Sequence, residues 1–223
     1  MKQIEITSIE LWLGTASRVS STDVEKIRGY IGNTFIEDPL FHNHKEKDKL
    51  IYRYPVVQYK VINCIPLLIG INEGIDSLWK VFEDISVLNF NNTKNEIFEK
   101  ETLLKQVMFG ISRLQIYTFQ SPWLALNKQN YEKYLKLGNW EKRKELLEKI
   151  LIGNILSISK SLGYTVEQEI RTDIKYFKEV HTTLKGNPML GFLGSFSLNF
   201  KFPDYWGIGK SVSRGFGTIK NIL

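Results

Sequence analysis

Residues 139–163, NWEKRKELLEKILIGNILSISKSLG, hold the clearest periodicity in the chain. Leu147, Ile150, Leu151, Ile158 and Leu162 recur at three- and four-residue spacing, which predicts an amphipathic helix. Asn139 is its N-cap and Gly163 the residue that ends it. Lys142, Arg143, Lys144 and Lys149 stand beside Glu141, Glu145 and Glu148, a mixture of charge that solvates an exposed helical face.

Strand patterns flank this helix. Before it, residues 106–119 (QVMFGISRLQIYTF) read as a long strand, with a short helix near Tyr131–Leu137 in the connection. After it, strands are expected at about 164–176, 178–184 and 189–202. The N-terminal half repeats the theme. A strand at 3–13 precedes a helix capped by Ser21 or Thr22 and running to about Thr34. Strands at 39–44 and 50–60 surround the charged turn 45–49, an apolar run follows at 65–71, and 73–82 reads as a short helix. Residues 84–105, with an Asn cluster at 89–95, are polar and poorly patterned and mark the boundary between halves. Strand, helix and further strands in each half predict two α+β domains, 1–100 and 101–223, each with helices on one face of an antiparallel sheet.

The 223 residues carry 30 Lys and Arg against 24 Asp and Glu, a net +6 that favours an anionic partner. One cysteine, Cys64, excludes an intrachain disulfide and argues against a cysteine-based zinc site. The N-terminus MKQIEITSIELWLG has no basic region leading into an apolar run, so it does not read as a signal peptide. No run of about 20 apolar residues occurs, so neither a membrane span nor a membrane partner is expected, and the expected compartment is the cytoplasm.

Residues 207–217 read GIGKSVSRGFG. Glycines 207, 209, 215 and 217 permit close backbone approach and predict a flexible loop, and the N–H groups of such a turn can cradle phosphate. Lys210, Ser211, Ser213 and Arg214 lie between them. From residue 181 onward there are five cations (Lys185, Lys201, Lys210, Arg214, Lys220) against Asp204 alone, so most of the excess charge lies in the last fifth of the chain. The segment is not a P-loop, whose first glycine falls at Asp204, nor a dinucleotide fingerprint, whose third falls at Val212. The competing reading is a solvated hairpin with tight turns.

His42 and His44 stand two apart in LFHNH, so on a strand their imidazoles point the same way. Two histidines can supply a general base and a general acid for phosphodiester cleavage. His-x-His can also chelate zinc, though no cluster of further ligands stands out, and a pair on a solvated strand face does neither. His181 starts a lone His-Thr-Thr, one copy of a pattern that two-histidine cyclic phosphodiesterases use twice. Trp123 and Trp140 read as core, whereas Trp206 abuts the glycine loop and is a candidate for stacking on bases.

Together the segments 39–44 (PLFHNH), 51–60 (IYRYPVVQYK), 151–156 (LIGNIL), 189–196 (MLGFLGSF) and 207–217 resemble the CRISPR-associated endoribonucleases that process repeat RNA, within the RAMP superfamily, and the sub-branch with an N-terminal histidine pair. The resemblance implies two tandem ferredoxin-like domains. It implies metal-independent, cofactor-free cleavage of CRISPR precursor transcripts within each repeat. The ribose 2′-hydroxyl attacks, leaving 2′,3′-cyclic phosphate and 5′-hydroxyl ends; DNA lacks that hydroxyl and would bind uncut. It casts His42 and His44 as acid and base in unassigned order, with Tyr52 orienting the phosphate or nucleophile. Tyr54, Lys60 and Arg53 are lesser candidates. Gly207, Gly209, Lys210, Ser211, Ser213, Arg214, Gly215 and Gly217 become RNA contacts, with Lys185 and Lys201 extending the path. The partner is repeat RNA, as precursor and processed guide; other CRISPR effector subunits and a second copy of the chain are further candidates. The alternative is a non-catalytic RNA-binding RAMP subunit of a larger ribonucleoprotein.

Overall fold

The computed structural model describes residues 1–14, 19–42, 44–45, 49–50 and 53–223, with side chains throughout except at 42, 44, 45, 49 and 50. The chain packs as two compact units: Gln3–Val107 with Ser213–Gly215, and Met1–Lys2, Met108–Val212 and Phe216–Leu223. They are called the N-terminal and C-terminal units below. The sequence reading divided the chain after residue 100.

In the N-terminal unit the order is β1 (Lys2–Leu13), α1 (Val24–Thr34), α2 (Pro39–His42), β2 (His44–Lys45), β3 (Lys49–Leu50), β4 (Val57–Ile62), β5 (Ile65–Ile71), α3 (Gly74–Asp84), β6 (Val87–Phe90) and β7 (Thr93–Phe119). The main sheet runs β4-β5-β1-β7. β5 pairs antiparallel with β1, Ile6 facing Ile71, and with β4, Val57 facing Gly70. This is the βαββαβ order of a ferredoxin-like unit. Ile9, Leu11, Val57, Tyr59 and Leu68 from the strands pack with Ile27 and Ile31 of α1 and Leu78 and Val81 of α3. Alternation sends those strand residues to one face, and burial of that apolar face drives the layer together.

The C-terminal unit takes the second part of β7, α4 (Lys128–Lys136), α5 (Trp140–Ser161), β8 (Thr172–Leu184), β9 (Asn187–Lys201) and β10 (Ile219–Asn221). β9 lies between β7 and β8, antiparallel to both, and β10 pairs with β7. On α5, Leu147, Leu151, Ile155 and Ile158 are buried, and the Asn139 side chain accepts the Lys142 N–H at 3.0 Å. Gly163 follows at φ +64°, the left-handed conformation that ends a helix. The core is aromatic: Phe119 stacks on Trp123, and Phe109 meets Phe200 edge-on.

Several expectations are corrected. The polar and poorly patterned stretch 84–105 carries regular structure. It holds β6 and the start of a 27-residue strand, joined by Asn91 and Asn92 at positive φ. Asn-Asn suits such a turn, and the strand gave no alternation because residues 101–106 are exposed on both faces. The strands expected at 164–176 and 178–184 are instead one strand, β8, with a register shift between Ile174 and Tyr176. Helix α1 is preceded by a capping box from Ser20 and Asp23, not by a cap at Ser21 or Thr22. Residues 39–42 are helical rather than extended. No helix of the described residues is long and apolar enough to cross a membrane.

Candidate functional site

The histidine segment is built around Asp38. Its carbonyl accepts the Phe41 N–H at 3.2 Å and its carboxylate accepts the Leu40 N–H at 3.1 Å, so the chain turns into helix at Pro39, a residue suited to a first helical turn. The other carboxylate oxygen accepts from Ser77 Oγ at 2.9 Å and Lys80 Nζ at 2.7 Å, both on α3. Burial raises the Asp38 carboxyl, but bonds from Lys80, Ser77 and the Leu40 N–H outweigh it and hold it below the ordinary carboxylate range. Phe41 is buried and stacks on Phe35, with ring centroids 5.2 Å apart. His42 closes this turn, and His44 opens β2, where it faces Leu50 of β3. The period-two argument for parallel imidazoles therefore does not apply, because a helical turn rather than a strand carries His42. The side chains of His42 and His44, and all of Tyr52, lie outside the described residues.

Sequence reasoning missed Asp38 and, separately, two charged residues of α1. Asp38 stands just before a proline, a helix-start signal, and the reading of 39–44 as a strand passed over it. On α1, Glu25 and Arg28 drew no notice, because a mixed-charge helix reads as solvated. Burial, with Arg214 nearby, lowers the Arg28 guanidinium from its usual value. Tyr59 is buried in the core beside these groups, and that burial raises its phenol.

The lesser candidates have definite places. Tyr54 is buried. Arg53 pairs with Glu73 at 3.0 Å on the surface. Lys60 is 2 % exposed on β4, and burial pushes its ammonium down to about 7. His181 is exposed on β8, opposite Leu190. Among the described residues no group of three His, Cys, Asp or Glu gathers as a metal site.

The glycine-rich tail is a packed segment rather than a flexible loop. Trp206, Ile208, Val212, Ser213 and Thr218 are all buried. Gly207 bridges Thr218 as in a strand. At Gly209 (φ +94°) a Cβ would lie 2.5 Å from Trp123 Nε1, and at Gly217 (φ +62°) 1.9 Å from the Ile208 carbonyl oxygen. Those two glycines answer to close internal packing. Ser213–Gly215 belong to the N-terminal unit. There Arg214 Nε lies 2.9 Å from Glu25 Oε1, and Gly215 sits against Val24 and the Tyr59 carbonyl. Lys210 is exposed and Ser211 takes φ +61°.

Lys185 and Lys201 do not form one patch. Lys185 is in the turn before β9 and Lys201 is the last residue of that strand. At ~3.4 Å per residue they stand roughly 50 Å apart. Trp206 is fully buried and offers no face to a base, whereas Trp140, expected in the core, is 40 % exposed.

Known proteins resemble the chain along its whole length. Residues 3–108 match the model of the Cas6b N-terminal domain and residues 110–222 that of the Cas6b C-terminal domain. A crystal structure of Cas6b superposes with a TM-score of 0.93 at 38% identity, covering 99% of this chain and all of that one. A second, of a "CRISPR RNA processing endoribonuclease Cas6b", gives a TM-score of 0.79 at 34% identity with the same coverage. An uncharacterized protein of Methanocaldococcus jannaschii is 41% identical over 141 residues, 63% of this chain and 95% of that protein. With both halves matched by the family's two domains, the chain belongs to the Cas6b family.

Proposed function

We propose that this protein is an endoribonuclease that cuts CRISPR precursor transcripts within the repeat to release guide RNAs. The observation that carries this reading is the full-length likeness to a Cas6b described as a CRISPR RNA processing endoribonuclease. The net charge of +6 suits a polyanionic substrate.

The chemistry proposed is metal-independent. One histidine of the His42/His44 pair takes the proton from the 2′-hydroxyl beside the scissile phosphate. The oxygen attacks phosphorus, the bond to the 5′-oxygen breaks, and the other histidine protonates that leaving oxygen. The products carry a 2′,3′-cyclic phosphate and a 5′-hydroxyl. Tyr52 orients the phosphate. The Asp38 anchor supports this role by fixing the backbone that leads into His42, since a reacting group must be held closely to be effective. Lys210 and Ser211 contact the RNA backbone, while Arg214 acts from its Glu25 pair.

The test is incubation of repeat RNA with the protein in excess chelator. Cleavage at one position of the repeat is expected. Tight binding by well-folded protein without any cut would favour a non-catalytic subunit, and loss of cutting on chelation would defeat the metal-free chemistry.

A further inference from the structure

The hairpin of β6 and β7 holds four asparagines in residues 89–95 (NFNNTKN), and they divide by role. Asn95 is buried, and its Nδ2 donates to the Leu88 and Thr93 carbonyls at 3.0 Å each. Asn91 and Asn92 form the two-residue turn at φ +56° and +57°, a conformation asparagine tolerates. The Asn91 side chain also ties the turn to the start of α1. Its Nδ2 donates to Asp23 Oδ1 at 2.8 Å, and its Oδ1 accepts from Lys26 Nζ. Asp23 is buried, and its other oxygen accepts the Ser20 N–H at 3.0 Å, so the turn is anchored through the capping box. The side chains of Asn89 and Asn92 serve none of these ends. Both residues are exposed, and neither carboxamide has a hydrogen-bond partner among the described residues. Asparagine is disfavoured in strands, so Asn89 weakens β6 with no internal compensation.

These groups border a cleft of about 550 Å³, lined by Lys26 of α1 and residues 89–94 of the hairpin. Asn89 lies directly opposite Lys94 in the ladder, so their side chains rise on the same face. An ammonium group has three donors. At Lys26 two go to Asp23, at 3.2 Å, and to Asn91, which leaves one for a ligand. Lys94 is 68 % exposed and reaches Glu96 at 4.0 Å, a loose surface contact. The cleft thus offers two ammonium groups and two uncommitted carboxamides on an anchored turn. A carboxamide carries a donor and an acceptor side by side and can pair with the edge of a base, while ammonium groups take phosphate. Unpaired RNA presents both at once, because its base edges are not hidden in a duplex.

We propose that this cleft takes one unpaired nucleotide of the repeat RNA, with Asn89 and Asn92 reading its base and Lys26 and Lys94 holding phosphates beside it. The inference rests on the reading of repeat RNA as the substrate. It makes the two asparagines specificity residues for that substrate. The cleft contains none of the proposed catalytic groups, so base reading here and cutting at the histidine pair are separable.

The test is filter binding and cleavage of the host's own repeat RNA and of a panel in which each repeat position is changed in turn to the other bases. Wild type should discriminate at one or more positions. Asn89→Ala/Asn92→Gly should lose discrimination at one of them, where a preference of about 5- to 150-fold falls to within about twofold, and keep it elsewhere. Glycine keeps the positive φ of the turn while removing the carboxamide, and Asn89 is exposed, so both changes suit the fold; circular dichroism checks this. Asn92→Gly alone repeats the test with the strand untouched. Lys94→Ala should instead weaken every RNA of the panel alike and lower the salt slope by about one. Asparagine variants that discriminate as wild type does at every position, or that weaken all sequences uniformly, would overturn the proposal. A wild type without preference at any position would do the same. Discrimination lost at one position in a protein that cuts none of these RNAs would support the cleft and defeat the nuclease reading. Cutting with discrimination intact in the variants would do the reverse.

Discussion

The turn Asp38–His42 and the tail Gly207–Gly217 are both short and irregular, and they are held in different ways. The turn is fixed by residues just before and inside it: Asp38 bonds to Ser77 and Lys80, and Phe41 enters the core. The tail is fixed along its own length, by buried Trp206, Ile208, Val212 and Thr218 and by glycines in contact with other backbone or ring atoms. Glycine and positive charge suggested mobility and anion binding for the tail. Its glycines are spent on close approach, and of its two cations one, Arg214, already has a carboxylate partner. A turn anchored at its start can hold a proposed reactive residue at its end, whereas a segment packed along its length offers contacts only at exposed points such as Lys210.

The largest test of this contrast is the double substitution His42→Ala/His44→Ala. Single-turnover cleavage should fall by about 10²–10⁴-fold, the usual worth of general acid–base groups, while filter binding of repeat RNA stays within about threefold. In the tail, Gly217→Ala should cost about 2–4 kcal/mol in urea denaturation, because a Cβ meets the Ile208 carbonyl and φ is positive. Gly138→Ala, with nothing within 4 Å of its Cβ, should be close to neutral.

Asp38→Ala should cost about 2 kcal/mol at neutral pH, the worth of a lost cap together with the groups it leaves unsatisfied. The folded-state carboxyl titrates below its ordinary value. Its stabilisation is therefore complete at neutral pH and fades as pH falls below about 4, where wild type and variant should converge in denaturation midpoint.

The smallest effects separate the two tail cations. Arg214→Ala should cost at most about 1 kcal/mol, and a double-mutant cycle with Glu25→Ala should recover most of it as coupling. Lys210→Ala should leave the denaturation midpoint unchanged and lower the salt slope of RNA binding by about one.

Much of the fold was legible because period and caps agree. Asn139, the stripe Leu147–Leu151–Ile158 and Gly163 specify α5 without tertiary information. β7 was only half legible. Its second part alternates against β9, but residues 101–106 are exposed on both faces, and no buried face imposes a pattern there. The candidate site was legible in its residue types and not in its geometry. His-x-His looks the same on a strand as across a helix end. What decides between them is Asp38 reaching α3 about 40 residues later, a long-range bond that local spacing cannot show. Arg214 with Glu25 is the same case over a greater separation: a cation read as an anion hook is held by a carboxylate from the other end of the chain.

The central claim is that an anchored histidine pair cuts repeat RNA without metal. The most direct test is single-turnover cleavage of the host's own repeat RNA in excess chelator, with the product ends mapped. The account predicts one cut per repeat, a 2′,3′-cyclic phosphate on the upstream fragment and a 5′-hydroxyl on the downstream one, with the histidine double variant inactive. Cleavage that stops on chelation, a 5′-phosphate on the downstream fragment, or full activity in the double variant would contradict it.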